Sequence, residues 1–512
     1  MSDKPLLIGL TVATGLLTYK LYRDRQGSEP ELPPSPRSYP LIGHLLSVPK
    51  EDEYLGFMRL GEELASKIFS LSVFGTTIVV LNDKEDAANL LDKRSAKYSD
   101  RTSPPMAKPL LIDWEDFGSL IGYGDRWRKY RRLMNPWLNK QAVTVYNESQ
   151  EQATRTLLRR LLENPEETRS SHDLEAELYL SVSTTLFDSL YGHKAASSND
   201  PLLVRTQKLI TYFAYSMNAS SHYVNSIPAL RYIPEWFPGA GWKREAVKWR
   251  KEKDSLVDEM YSVGLRNATK VEGVRPMVQS LRTQALKLGF TEEEADNHVK
   301  QICITLVGGG TDTTLNTLMM FFLAMVLYPE VQKKAQEELD SVIGSTRLPT
   351  IEDRPYLNYI EMVMQELFRW APVTPIGVPH TCYQDDTYKG YHIPKGAIVI
   401  GNAWAMTRDP LVYENPEVFD PDRYLDPSTP LSPVFGWGRR RCPGVHFAQA
   451  SVFIAIASIL MTFNIGVAQD KNGKDITPSR KLINSIVLTP EPFMLKLTSR
   501  SVIHKELILQ SY

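Results

Sequence analysis

Cysteine is scarce in this chain: three in 512 residues, Cys303, Cys382 and Cys442. They are too few and too scattered for a disulfide framework, which assigns the body to a reducing compartment. Charge of one sign is missing too. With 59 Lys and Arg against 60 Asp and Glu, the net charge is −1, and nothing in that balance favours nucleic acid. A third absence lies near the start, where the apolar run PLLIGLTVATGLLTYKLY (residues 5–22) is followed by no small-residue cleavage site. The run therefore reads as a retained transmembrane anchor and not as a removed signal peptide. Lys20, Arg23 and Arg25 follow it while Lys4, offset by Asp3, precedes it. The positive-inside rule then leaves residues 1–4 in the lumen and the body in the cytosol. Pro30, Pro33, Pro34, Pro36 and Pro40 make residues 23–43 a stiff, proline-rich hinge.

What the chain does have is a hydrophobic content of 42%, enough for a large core, and one glycine-rich loop that delivers a cysteine. The stretch FGWGRRRCPG, residues 435–444, places Cys442 just before an apolar helix expected over residues 445–463. Gly438 and Gly444 lack a Cβ and would let the backbone approach a flat ligand. A helix N-terminus and its free N–H groups lower a thiol's pKa, so Cys442 is expected to be a thiolate and a metal ligand. A thiolate on haem iron is the specific possibility.

Thr291-Glu292-Glu293-Glu294 is a capping box opening an apolar run that meets no stop until Tyr328-Pro329. In its middle, Gly308, Gly309 and Gly310 each cost roughly 0.8–1 kcal/mol against alanine. Close approach of a planar cofactor and a local opening of the helix for a small molecule would account for that cost. Thr311, Asp312, Thr313 and Thr314 follow, polar groups that need partners in an apolar helix. A later helix carries Glu366 and Arg369 three apart, and Arg423, much further on, could close a buried triad with them. Trp127 and Arg131 share one face of a basic helix, and that face could hold an anion. Ile68 to Val80 read as a hairpin turning at Gly75, and residues 373–378 as a strand.

The spacing Phe435, Gly438, Arg440, Cys442, Gly444 resembles the haem-binding signature of the cytochrome P-450 superfamily, and Gly309 to Thr314 resemble its oxygen-activation motif. Glu366, Arg369 and Arg423 resemble its E-x-x-R pair and meander arginine. The resemblance runs over nearly the whole chain from the proline hinge onward, and residues 228–239 resemble a stretch of fungal members, the O-methylsterigmatocystin oxidoreductase-like group. It implies a mainly α fold with a smaller β region, a catalytic domain over residues 44–512, and haem b (iron protoporphyrin IX) ligated by Cys442. Trp127, Arg131, His380 and Arg440 would serve the propionates, Gly309, Phe435 and Gly444 would line the cofactor, and Asp312 with Thr313 would manage water and protons. Glu366, Arg369 and Arg423 would be structural. The implied partners are O₂, an NADPH-cytochrome P-450 reductase with cytochrome b5 as a further donor, and an endoplasmic reticulum membrane. Arg126, Arg128, Lys129 and Arg132 would form part of the docking surface for an acidic redox partner. One oxygen atom would go to the substrate and the other to water.

Two other readings share these motifs. A rearranging isomerase or dehydratase of the same fold has no need of the Asp312-Thr313 pair, and a haem-thiolate sensor has no need of the glycine triplet either. The expected substrate-lining segments, residues 103–118, 209–217, 373–378 and 485–487, are largely apolar with no assignable buried charge, which points to a hydrophobic small molecule. The resemblance suggests a terpenoid, steroid, polyketide or aromatic compound of fungal secondary metabolism or xenobiotic oxidation.

Overall fold

The computed structural model describes residues 18, 31–195, 197–217, 222–269, 275–484 and 487–510. The expected anchor over residues 5–22 lies outside them, apart from Thr18. The long helices are Asp125–Leu138 (α1), Asn147–Glu163 (α2), Ser171–Tyr191 (α3), Pro201–Met217 (α4), Gly241–Ala268 (α5), Met277–Lys287 (α6), Glu292–Leu327 (α7), Pro329–Val342 (α8), Asn358–Trp370 (α9) and Val445–Thr462 (α10). Strands form a smaller part of the described residues, so the fold is mainly helical.

The helix α7 is the axis of the molecule. Its start is set by the capping box: the Thr291 hydroxyl accepts from the Glu294 N–H at 3.2 Å, and the Glu294 carboxylate accepts from the Thr291 N–H at 3.1 Å. At 1.5 Å per residue its 36 residues reach about 54 Å. It packs along α3 and across α10, and α10 packs on α2, so four helices share one core. Both α7 and α10 are long and apolar enough to cross a membrane, yet 72% of each apolar window is buried inside the protein. Their apolar residues are spent on this core, where Phe321, Phe322, Phe453 and Ile456 are fully enclosed.

The larger sheet begins with the expected hairpin. Ile68–Val73 pairs antiparallel with Thr76–Leu81, and Phe74 and Gly75 turn it with φ of 48° and 83°. Two successive positive φ values give the turn whose twist matches its strands. Ile398–Gly401 adds in parallel, and His380–Thr381 pairs beyond it. A second sheet joins Phe463–Gln469 to Met494–Ser499, and the small hairpin of Leu482–Asn484 with Leu488–Pro490 brings Val487 towards the helical core.

Two expectations are corrected. Residues 373–378 form turns and not a strand, because Pro372, Pro375 and the left-handed Gly377 (φ 56°) cannot sustain a ladder. The helix α7 runs unbroken through Gly308, Gly309 and Gly310, with no local opening. The later part of the proline segment packs on the first sheet: the Pro33 and Pro34 carbonyls accept from the Ser70 hydroxyl at 2.7 Å and the Ser70 N–H at 2.8 Å, and the Pro36 carbonyl bonds His44.

Candidate active site

The cysteine loop is held by its own backbone. The Cys442 N–H donates to the Phe435 carbonyl at 2.8 Å, and Gly436 and Gly438 take φ of 75° and 50°. Gly438 serves packing and not a ligand: a Cβ there would overlap the Leu91 carbonyl oxygen. Gly444 caps α10 and faces open space. Phe435 stands edge-on to Phe368, ring centroids 5.2 Å apart, which fastens the loop to α9.

Above this loop lies a cavity of about 740 Å³. Cys442, Phe435, Arg440 and Gly444 line it from one side, and Gly309, Asp312 and Thr313 of α7 from the other. The three glycines of α7 divide the work. A Cβ at Gly308 would press on Phe117 at 3.2 Å and one at Gly310 on Leu186 at 3.0 Å, whereas one at Gly309 would meet nothing within 4 Å. All three line the cavity, and only at Gly309 would an added Cβ meet open space. Gly309→Ala should therefore raise the thermal stability of the ligand-free protein by up to about 1 kcal/mol through helix propensity, while weakening cofactor or substrate binding in a spectral titration.

Each expected binding residue has a definite place. Arg440 donates from Nε to the Ser99 carbonyl at 2.7 Å and from Nη2 to the Ile121 carbonyl at 2.7 Å, while its Nη1 is buried with no partner among the described residues. Its guanidinium lies 5.0 Å from the Trp127 ring centroid, so Trp127 supports Arg440 and does not itself line the cavity. Arg131 also stands outside it. It donates to the Arg441 carbonyl at 3.0 Å and lines a smaller pocket on the far side of Cys442. His380 is buried, donates from Nδ1 to the Tyr98 carbonyl at 2.6 Å, and is held well below its ordinary pKa by burial and by Arg101.

Arg101 carries no motif that reading the sequence could have used. It sits on an irregular loop, donates to the Val378 and Pro379 carbonyls, and lines the cavity with its Nε unpartnered. Burial and the neighbouring Arg440 pull its guanidinium well below its usual pKa, and burial brings Arg440 down to about 10. Two cations beside one cavity, each with an orphaned N–H and neither in an ion pair among the described residues, fit an anionic ligand. Glu175 of α3, also missed, faces the same cavity; both charges come from outside the four segments expected to line it, and those segments bring none.

The Cys442 sulfur feels opposing influences. Burial pushes the thiol up, and the Gly444 N–H and Arg131, which pull it down, do not win. Without a metal's charge, desolvation outweighs the helix terminus. Asp312 is raised to about 6 by burial and then by the charge of Glu175. Thr313 donates its hydroxyl back to the Gly309 carbonyl at 2.7 Å, leaving its lone pairs as acceptors.

The brace is complete. Arg369 grips both oxygens of Glu366 at 2.7 Å, and the Arg423 Nε reaches both at 3.1 Å. The Arg369 Nη1 donates to the carbonyls of Thr407 and Pro416, and Nη2, besides its bond to Glu366, donates to that of Val418. Glu366 and Arg369 are fully buried, so the triad ties α9 to the irregular segment that leads into the cysteine loop.

No three His, Cys, Asp or Glu side chains come together as a metal cage among the described residues. A metal at Cys442 would thus arrive within a macrocycle whose acidic groups Arg101 and Arg440 can hold, and the residues present fit a haem. A mainly helical fold with a single cysteine beneath a glycine-notched helix defines the thiolate haem oxygenase class. The sequence model described as "Cytochrome P450" matches residues 33–497, so the chain belongs to the cytochrome P-450 family and is a monooxygenase. It is 36% identical to cytochrome P-450 monooxygenase claR of Ampulloclitocybe clavipes, over 98% of this chain and 93% of the relative. It is also 35% identical to the tryptamine 4-monooxygenase of Psilocybe cyanescens, over 97% of this chain and 98% of the relative. The family carries haem iron, uses O₂ and a redox partner, and acts on small molecules.

Proposed function

We propose that the chain holds haem b through Cys442 and oxygenates a hydrophobic small molecule with electrons from an NADPH-cytochrome P-450 reductase, while residues 5–22 anchor it in the endoplasmic reticulum membrane. The observation that carries this reading is the single cavity shared by Cys442, Gly309, Asp312 and the unpaired Arg101 and Arg440. Thiolate-bound haem supplies the activation of O₂; the protein supplies the rest. Arg101 and Arg440 would hold the propionates, with His380 and Trp127 behind them. Thr313 is positioned to accept a hydrogen bond from a water beside Gly309, and Asp312 to give and take its proton. Trp114, Phe117 and Phe213 pack ring against ring at the cavity wall and keep bulk water out.

All four expected lining segments reach the cavity, through Trp114 and Phe117, Leu209 and Phe213, Val373 and Val378, and Val487; residues 485 and 486 lie outside the described set. Their apolar surface supports a terpenoid, steroid, polyketide or aromatic substrate of fungal secondary metabolism or xenobiotic oxidation. Incubating the protein with reductase, NADPH and such compounds should give products heavier by one oxygen in mass spectra. The same compounds unchanged across the series, with haem loaded, would count against the reading.

Because Asp312 is held near 6, it is ionised above that pH and protonated below it. Turnover should therefore show an inflection near pH 6 that Asp312→Asn removes.

For the reductase, exposed Arg128, Arg132, Lys140, Arg439 and Arg441 supply positive charge, and Arg441 lines the smaller pocket at Cys442. Within the basic helix, Arg126 pairs with Asp116 at 2.8 Å, Arg128 with Asp125 at 2.6 Å, and Lys129 lies over Phe290. Arg441→Glu should raise the reductase concentration needed for half-maximal turnover and flatten its salt dependence, leaving substrate binding unchanged.

A further inference from the structure

The titratable side chains that line the cavity fall into two groups. Arg101, Arg440 and Cys442 form the first, and Glu175, Tyr179 and Asp312 the second. The second group is unusual in its balance. Glu175 and Asp312 are carboxylates on facing helices, α3 and α7, and no cation among the described residues forms an ion pair with either. Carboxylates that share an enclosed space without a cation favour a proton between them. Outside these two groups the polar side chains that line the cavity, Gln207 of α4 and Asn316 of α7 among them, are neutral. Glu175 is partly exposed near the N-terminal end of α3, whereas Tyr179, one turn further along, is buried.

We propose that Glu175 is the outer carboxylate of a proton path that feeds Asp312 from solvent along the cavity face of α3. It rests on the reading of Asp312 as the acid that handles protons. A proton taken up from water by Glu175 passes through cavity water to the Asp312 carboxylate, and Glu175 is reprotonated from bulk. Glu175 does not reach the reacting atoms and is a positioning residue for the proton. Tyr179 stays neutral throughout, since burial and then Asp312 push it up to about 12. The electrostatics agree with this geometry, because the charge that acts on Asp312 is that of Glu175.

The test compares Glu175→Gln, Glu175→Asp and Glu177→Gln in the haem-loaded full chain. Glu177 sits two residues away, pairs with Arg160 at 2.6 Å and serves as the control. The carboxylic acid band of Asp312, assigned by its loss in Asp312→Asn, is titrated by infrared spectroscopy, and turnover is measured in H₂O and D₂O. Glu175→Gln should move the Asp312 midpoint to lower pH, lower kcat by about tenfold with KM unchanged, and enlarge the solvent isotope effect. Glu175→Asp should restore most of both, and Glu177→Gln should change neither. An unmoved midpoint together with unchanged kcat overturns the proposal. So does a rise in KM alone for an amine substrate, which would make Glu175 an ammonium-binding residue. If Asp312→Asn itself leaves turnover intact, the functional reading of Asp312 falls and the path with it. A normal dependence on Asp312 without any response to Glu175→Gln removes the path alone.

Discussion

Cys442→Ala should yield a folded chain without bound haem, without the thiolate signature in its reduced, carbon monoxide-bound spectrum, and without turnover. The loop itself survives the change, because its closure rests on the Cys442 N–H to Phe435 carbonyl bond and on the backbone of Gly436 and Gly438, none of which needs the sulfur. What disappears is the one side chain at that wall able to carry a negative charge to a metal. Cys303→Ala and Cys382→Ala should keep both haem and activity. Cys303 is buried in α7, where desolvation drives its thiol far up, and Cys382 is raised to about 11 by burial and gives its S–H to the Gln384 carbonyl at 2.9 Å. Each is a small buried side chain whose truncation costs about 1 kcal/mol of packing. The three spectra and three turnover rates decide the assignment.

Glu366→Ala should be the most destabilising single change outside the cavity. It leaves Arg369 and Arg423 as uncompensated cations in the interior, and breaking such a buried pair costs about 3–5 kcal/mol. Total stabilities of about 5–15 kcal/mol leave little after such a loss. The segment between Thr407 and Val418, pinned by Arg369 through three carbonyls, would come free and the cysteine loop would lose its support. Soluble yield and haem content should fall together, with a sharply lowered melting temperature. Glu177→Ala, which breaks only the surface pair with Arg160, should stay within about 1 kcal/mol of the wild type. Equal losses for the two variants would contradict the brace.

Much of this protein was legible without coordinates, and the legible parts share a cause. The capping box of α7, the hairpin at Gly75, the helix after Gly444 and the Glu366-Arg369 spacing are local patterns, in which residues a few positions apart meet because helix and turn geometry brings them together. The misreadings also share a cause. Residues 373–378 looked like a strand from their apolar side chains, yet prolines and Gly377 outweighed that pattern. Gly438 looked like a ligand cradle, and the backbone of Leu91, over 340 residues earlier, was its reason.

By itself the sequence determined the fold family, the cysteine that faces the cavity and the acid and threonine opposite it, since each depends on short-range spacing and residue chemistry. Only the tertiary structure decided at which glycine of the triplet a side chain would find open space, that Trp127 supports Arg440 while Arg131 lines a second pocket, and that Arg101 and Glu175 face the cavity at all. Those are facts about burial and charge among residues far apart in the chain. The energy of a buried charge is set by whatever surrounds it in space, which no local pattern records.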